Sequence, residues 1–188
     1  MTLNLLTYLV NLKASVANPT VSPEAYTHYG MLSKYPKWGE SFKDALLGSM
    51  YVESKVPKTG EAFNFKRKQD NGPAEGLFQF EKAHLDDYHK YLKDNGLTDS
   101  SESQIAFVYE NMTNGGYSLD KSTGDYVSNS PHEIGGVARR NLQGMFQGTD
   151  TDAISDSLMK NYFKSSKPHM AERKKASKRY EAGLKPIP

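Results

Sequence analysis

Glu53 is a carboxylate at the C-terminal end of an apolar segment with helical spacing, residues 42–54. Positions 42, 46, 50 and 53 fall on one face of a helix, so Glu53 is predicted to share a stripe with Phe42, Leu46 and Met50. A carboxylic acid held partly out of water has a raised pKa and stays protonated near neutrality. Such a group could act as general acid at a glycosidic bond. The alternative is a helix-terminal glutamate that faces water or pairs with a lysine.

A glycine-containing turn follows Glu53 by about 25 residues, with the run Gly76-Leu77-Phe78-Gln79-Phe80. The intervening residues 55–75 hold two prolines and two glycines, which predicts a loop or a short hairpin. A desolvated acid that faces a Gly-Leu-aromatic-Gln turn is the minimum that cleavage of a glycan requires. The two segments therefore form one candidate site.

Helical patterns run through most of the chain. Ser22-Pro23 is a helix start, Asn95-Gly96 is a helix end, and Asp150 is a capping residue ahead of an apolar face that includes Ile154. Helices are predicted at about residues 1–17, 23–35, 41–54, 81–94, 101–115, 131–148, 151–162 and 168–183, with a turn-rich segment at 117–130.

These patterns predict a mainly α protein with one domain, residues 37–183, and a small loop or β-hairpin region near the site. Residues 1–36 are predicted to form N-terminal helices that pack on this domain or lead into it, and residues 184–188 a tail. A chain of 188 residues with 37% hydrophobic residues is long enough to bury a core of its own.

Composition excludes several kinds of chemistry. The chain has no cysteine, which rules out a disulfide framework, a thiolate nucleophile and a Cys-ligated metal. His84 and His89 are five residues apart, so they point from diverging faces of a helix. We therefore predict no metal and no cofactor.

No apolar run approaches the roughly 20 residues that a membrane-spanning helix needs, so no membrane insertion is expected. Residues 1–17 lack a basic start and are interrupted by polar residues, so no signal peptide is predicted. A protein without a signal would reach a cell wall by another route.

Charge is unevenly distributed. Net charge is +2, yet residues 160–188 contain nine Lys or Arg against two Glu. This excess is either a solvated helix face or an attraction to an anionic polymer such as cell wall. Aromatic residues that could stack on bases are sparse there, so nucleic acid is not a predicted partner.

The order of these motifs resembles the lysozyme-like superfamily of goose-type lysozymes and lytic transglycosylases. In that superfamily a catalytic Glu, usually followed by Ser, precedes a Gly-Leu-Met/Trp-Gln turn, as Glu53-Ser54 precedes residues 76–79 here. The later half is similar to phage-tail lysozyme-like domains. Residues 104–110 resemble their Gln-Leu-x-Phe-x-x-x-Glu helix, with Glu110 one position earlier than in that pattern. Phe163, Pro168, Arg173 and Ala176 resemble their closing pair of helices. The resemblance covers about residues 44–180 and implies a lysozyme-like fold.

The resemblance also implies roles for two carboxylates. Glu53 matches the general acid of the superfamily. Asp70 falls where goose-type enzymes hold a carboxylate that positions water and where many transglycosylases hold a serine. Read locally, Asp70 in Asp-Asn-Gly is equally a turn residue.

Four further residues are assigned to substrate binding. Gln79 matches a glutamine that lines the cleft and hydrogen-bonds the sugar near the scissile bond, and Phe78 stands beside it in the same turn. Gly76 permits the close backbone approach that places such donors. Glu81 falls at a second acidic position of the goose-type pattern, although it can equally be an acid in the first turn of a helix.

The implied activity is that of a bacteriophage muramidase, a peptidoglycan-cleaving glycosidase. Its expected location is the virion, in the tail, or the host cell wall or periplasm on delivery. Its expected partners are peptidoglycan glycan strands and other tail or virion proteins. Two alternatives stay open: a lytic transglycosylase that uses the same Glu53, and an inert structural virion protein with a lysozyme-like fold. Asp70 favours hydrolysis, because a transglycosylase needs only one acid/base.

Overall fold

The computed structural model describes residues 21–56, 59–69, 72–114, 136–163 and 169–184. Over these residues it contains α1 (Pro23–Leu32), α2 (Glu40–Ser54), α3 (Lys82–Asn95), α4 (Ser101–Asn114), α5 (Gly136–Met145), α6 (Thr151–Leu158), a π-helical turn (Met159–Phe163) and α7 (Met170–Gly183). The predicted mainly α class is confirmed. The described part contains no strand, and only the isolated antiparallel bridges Lys68–Glu75 and Glu75–Phe80 fall in the predicted loop or hairpin.

Local capping signals set several helix boundaries. Ser22 Oγ accepts the N–H of Ala25 at 3.3 Å in front of α1. Asp150 Oδ1 accepts two N–H groups at the start of α6, at 3.0 and 3.1 Å. Gly96 ends α3 in a left-handed conformation, φ 62°. These boundaries are as predicted, because each depends on residues adjacent in sequence. The predicted helix at 1–17, the segment at 117–130 and the helix starts at Pro131 and Pro168 lie outside the described residues.

α2 is the central helix. Phe42, Leu46 and Met50 are fully buried, which confirms the predicted apolar stripe. The helix is also buried on its other sides, where Leu47 and Ser49 have no exposure. The reason is that α1, α6 and α7 all pack against it, and the contact with α7 is the most extensive. The carboxylate at the end of α2 therefore extends from a helix that is enclosed by others.

α2 and α7 approach each other closely at Gly48. A Cβ atom at this position would lie 2.2 Å from Ser177 Oγ and 2.7 Å from the Ser177 backbone nitrogen. It would also lie 3.0 Å from the carbonyl oxygen of Arg173. Contacts below 3 Å are repulsive, so this separation of the two helices requires glycine.

An aromatic cluster joins the N-terminal part of the domain to α4 and α5. Trp38 is 1% exposed, and its ring lies 5.7 Å from Phe42, 5.1 Å from Tyr109 and 6.5 Å from Phe146. Such aromatic contacts bury large apolar areas in a fixed geometry.

α1 packs on the same core. Ala25 and Leu32 are fully buried, and the hydroxyl of Tyr26 donates to the carbonyl of Gly183 at 3.0 Å. The division at residue 36 remains a prediction. Within the described residues, no helix has the length and apolar character needed to cross a membrane.

Candidate functional site

Glu53 lies in the last turn of α2 and forms an ion pair with Arg173 of α7. The Glu53 side chain is 18% exposed, whereas that of Arg173 is 1% exposed. Arg173 Nη2 donates to Glu53 Oε1 across 120 residues of sequence. Glu53 is therefore neither a fully solvated helix end nor the partner of a lysine. One edge of the carboxyl group reaches solvent while a buried guanidinium holds its Oε1.

An aromatic ring holds the guanidinium from its other side. Arg173 Cζ lies 5.3 Å from the centre of the Phe163 ring, which belongs to the π-helical turn. A guanidinium placed over an aromatic face gains a cation–π attraction, and it is strongest where water is excluded. Arg173 is thus fixed by charge at Glu53 and by stacking at Phe163.

The same aromatic ring connects Arg173 to the turn at residues 76–79. Phe163 stacks on Phe78, with ring centres 6.3 Å apart and an interplanar angle of 20°. Phe78 in turn stacks on Phe80 at 5.6 Å and is 3% exposed. The structure therefore joins Glu53 to the predicted turn through three successive contacts. Because Phe78 is buried in them, its side chain supports the turn from within.

Gly76 adopts a conformation that requires glycine. Its φ is +88°, and its N–H donates to the carbonyl of Arg67 at 2.8 Å. A Cβ atom at Gly76 would lie 2.5 Å from Gln104 Oε1. Both the backbone conformation and the space exclude a side chain here.

Gln104 of α4 holds the turn in place. It is 2% exposed, and its Oε1 accepts the N–H of Leu77 at 2.7 Å. Its Nε2 donates to the carbonyl of Phe65 and to Asp99 Oδ1, both at 2.9 Å. Buried hydrogen bonds of this kind are costly to break, because each leaves a desolvated polar group without a partner.

Gln79 is a non-glycine residue in the left-handed region, with φ 49°. Its side chain is half-buried, and Nε2 donates to the carbonyls of Gly76 at 3.0 Å and Arg67 at 3.3 Å. A conformation of this kind costs about 1 kcal/mol or more and is concentrated at functional sites. The strained backbone makes Gln79 the residue of this turn with the strongest structural sign of a function.

The two remaining carboxylates have different positions. Glu81 is exposed and precedes α3 with an extended backbone, φ −134°, and its side chain makes no capping hydrogen bond. Asp70 lies outside the described residues. Among the described residues, no group of three or more histidine or acidic side chains is arranged to hold a metal ion.

Comparison with known proteins identifies the family. A model of the phage tail lysozyme family matches residues 25–182. The chain belongs to the phage tail lysozyme family. No curated protein sequence and no solved structure matches the chain significantly. The predicted resemblance is thereby confirmed, and the match includes Glu53, the turn at 76–79 and most of α7.

Two residues of this phage lysozyme-like protein were not predicted from sequence as parts of the site. Arg173 shares the face of α7 that holds Ala176 and Tyr180, at spacings of three and seven residues, and this spacing is the signal of its burial. Gln104 precedes the buried Val108 and Met112 by four and eight residues. A polar side chain in register with a buried apolar face needs internal partners, but the sequence does not name them.

Proposed function

We propose that this member of the phage tail lysozyme family is a muramidase that cleaves peptidoglycan glycan strands with Glu53 as general acid. The main support is the half-enclosed carboxyl group at the end of α2, with Arg173 bound to its Oε1. No hydrogen bond reaches Oε2 from any residue that the structure describes. Arg173 pairs with the ionised carboxylate, so Glu53 must take up a proton before it can donate one. With Oε1 bound by Arg173, that proton would be carried on Oε2 and pass to the glycosidic oxygen.

In the hydrolytic reaction, Asp70 orients the attacking water. As Glu53 protonates the leaving oxygen, the bond from the anomeric carbon to that oxygen breaks, and the water oxygen adds to the anomeric carbon. The water gives one proton to the Asp70 carboxylate as the Glu53 proton goes to the leaving oxygen, so hydroxyl groups form on both products, and exchange with solvent restores both carboxyl groups. This scheme needs two carboxylates, separated by about 6.5–9.5 Å in an inverting enzyme.

Substrate binding in this proposal involves the turn at 76–79 and Glu81. Gln79 supplies its side-chain amide oxygen to the sugar substituents near the scissile bond, while its Nε2 is held by backbone carbonyls. Gly76 allows the close approach of the turn to Gln104 that places this amide. Phe78 contributes by supporting the turn from the core, and Glu81 offers an exposed carboxylate at its end.

The proposed site of action is the host cell wall, which the protein reaches with the phage tail. As a component of the phage tail, it would contact other tail or virion proteins and reach the host cell wall or periplasm with the incoming particle. Mass spectrometry of purified particles tests this point, because a tail component is recovered with them. A free endolysin is not recovered with the particles.

Digestion of purified peptidoglycan tests the reaction. The wild-type chain should release muropeptides with reducing muramic ends, which mass spectrometry distinguishes from 1,6-anhydro ends. Glu53→Gln should lower the rate by about 10²–10⁴-fold, because it removes the proton donor. It should remain folded, because the amide oxygen still accepts a hydrogen bond from Arg173.

Each other result has a defined meaning. Anhydro ends would identify a lytic transglycosylase, in which the 6-hydroxyl of muramic acid replaces water. Full activity in Glu53→Gln would remove the assigned site. Absence of any cleavage by a folded wild-type protein would identify a structural virion component.

A further inference from the structure

Two cavities flank Tyr51 in the part of the molecule where α2 ends against α7. One, of about 330 Å³, is lined by Tyr51, Val52, Lys55, Glu172, Lys175, Ala176 and Arg179. The other, of about 490 Å³, is lined by Ser22, Glu24, Tyr51, Gly60, Glu61, Ala62, Phe63, Arg179 and Tyr180. Both have volumes typical of sites for small ligands. Since Tyr51 and Arg179 line both, we call the pair of cavities the Tyr51 groove.

The first cavity is cationic and has an aromatic wall. Lys55 Nζ lies 5.5 Å and Arg179 Cζ 4.9 Å from the centre of the Tyr51 ring. Lys175 adds a third positive charge, against the single carboxylate of Glu172. The Tyr51 ring holds these two cations at one place by cation–π attraction, and together with Lys175 they can bind the carboxylates of a ligand.

Other cations of α7 are neutralised, and those of the groove are not. Lys174 Nζ lies 2.8 Å from Asp156, and Lys178 Nζ lies 2.7 Å from Asp152. Lys55 and Lys175 form no ion pair with any residue that the structure describes. The positive charge of this face is therefore available to a ligand.

The second cavity has the opposite charge. Glu24 and Glu61 are exposed residues of its lining, together with the hydroxyl-bearing Ser22. A ligand that extends through both cavities would meet cations first and carboxylates afterwards. The matching ligand carries carboxylates at one end and an amino group further along.

We propose that the Tyr51 groove binds the stem peptide of peptidoglycan. This inference rests on the proposed function, since the peptide branches from the glycan that Glu53 would cleave. Stem peptides are short and combine free carboxylates with the amino group of a diamino acid. In the groove the carboxylates bind Lys55 and Lys175, and the amino group lies by Glu24 and Glu61.

The position of the groove suits a branch of the substrate. Lys55 follows Glu53 by two residues, so the groove and the proposed general acid lie at the same end of α2. The seven helical steps from Glu172 to Arg179 extend about 10 Å along α7, since a helix rises about 1.5 Å per residue. An extended peptide covers that length with about three residues.

Binding is tested in the Glu53→Gln background, so that cleavage does not alter the ligand. The full chain is sedimented with insoluble peptidoglycan from which wall teichoic acid has been removed. Lys55→Gln combined with Lys175→Gln should weaken binding by about 10-fold, the effect of two lost charge contacts of ordinary strength. The matched control, Lys174→Gln with Lys178→Gln, removes the same charge from the paired face of α7. It should change binding by less than about 2-fold. Thermal unfolding of each variant verifies that it is folded.

A second arm uses glycan strands from which an amidase has removed the stem peptides. On these strands the groove variant and its control should bind equally. A third arm titrates soluble stem peptides. Amidation of their carboxylates should abolish the difference between Lys55→Gln/Lys175→Gln and the parent, and acetylation of the amino group should abolish the effect of Glu24→Gln/Glu61→Gln.

Several results would overturn the inference. These are equal losses in the groove variant and the control, a loss that persists on peptide-free strands, or a loss seen only when teichoic acid is retained. A wild-type protein that cleaves nothing would contradict the proposed function, while the binding pattern would still identify the groove. Cleavage without the binding pattern would contradict the groove alone.

Discussion

Glu53 and the turn at residues 76–79 are held in different ways. Glu53 extends from a helix packed by three others, and its partner Arg173 comes from a distant segment. The turn is held by hydrogen bonds, chiefly those of Gln104 and Arg67, and has positive φ at both Gly76 and Gln79. Packing of a whole helix thus positions the acid, whereas the turn depends on hydrogen bonds in addition to the buried Phe78. The two parts should therefore respond differently to substitution.

Among the substitutions that test this difference between the two parts, Arg173→Met should have the largest effect, and it tests whether the ion pair positions Glu53. The free energy of unfolding should fall by about 3 kcal/mol, because a mostly buried carboxylate loses its charged partner. The proposed cleavage of peptidoglycan by the folded protein should slow by more than about 10-fold, because Glu53 loses its fixed orientation. Urea denaturation and peptidoglycan digestion measure the two quantities.

Lys174→Met is the control for that change, because Lys174 forms a more exposed ion pair on the same helix. It should cost less than about 1 kcal/mol and leave activity intact. If Arg173→Met lost stability but kept full activity, Arg173 would support the fold without positioning Glu53.

Gly76→Ala should have a smaller effect on stability and activity, because it disturbs only the hydrogen-bonded turn at residues 76–79. Strain at φ +88° and the 2.5 Å approach to Gln104 Oε1 should together cost about 2 kcal/mol and displace the turn. The rate of peptidoglycan cleavage by the folded variant should fall as well, because the turn that carries Gln79 is displaced. Urea denaturation and peptidoglycan digestion measure the two effects.

Gly96→Ala is the matched comparison for this turn variant. Gly96 also has positive φ, 62°, but a Cβ there would meet nothing within 4 Å. Gly96→Ala should lower the free energy of unfolding by about 1 kcal/mol and leave the specific activity unchanged. Equal activity losses in the two alanine variants would show that the turn has no special part in the reaction.

Gln79→Gly tests whether Gln79 matters for activity rather than for the stability of the turn. Glycine removes the strain of φ 49° but also the hydrogen bonds of Nε2, so the net change in stability should stay within about 1 kcal/mol. Activity should nevertheless fall by about 10-fold, because the amide is lost. Unchanged turnover and KM would remove Gln79 from the substrate-binding residues.

The smallest effect concerns pH and the packing beside α2. His28 stacks on Phe63 at 4.9 Å, and the N–H of Phe63 donates to Ser54 Oγ at 2.6 Å. Burial lowers the pKa of His28 below its ordinary value, despite an opposing hydrogen bond to the carbonyl of Glu24. As pH falls below about 6.5, the unfolded chain therefore takes up a proton before the folded one does.

Stability should accordingly be complete above that pH and decline below it, by at most about 1.4 kcal/mol per pH unit, until the folded pKa is passed. Urea titrations at several pH values measure this slope. In His28→Gln the contribution of His28 should disappear. If the free energy of unfolding of His28→Gln depended on pH as steeply as that of the parent, the pH dependence would come from other groups.

Local signals in the sequence predicted the helices well. Ser22-Pro23, Asn95-Gly96 and Asp150 act on neighbouring backbone groups, so their effects can be read without the fold. The enclosure of α2 could not be read in this way. Gly48 and Ser49 interrupt its apolar pattern, and only the helices packed on them explain why they are buried.

The same division holds for the candidate site, whose assigned roles remain predictions: features set by neighbouring residues could be read from the sequence, and distant partners could not. The Gly76 turn could be predicted because glycine marks a special backbone conformation, and Glu53 could be predicted from its place on a helix face. The pairing with Arg173 could not, because it joins residues 120 positions apart. The role of Gln104 was missed for the same reason, since its partners Leu77 and Phe65 come from a preceding loop.

Gly48 limits which substitutions α2 can accept. It lies five residues before Glu53, about 7.5 Å along the helix, and opposite the carbonyl of Arg173. A methyl group there would act as a wedge that pushes apart the helices bearing the acid and its guanidinium. The spacing of Glu53 and Arg173 thus depends on a position that has no functional group, and we expect few substitutions to be tolerated at Gly48.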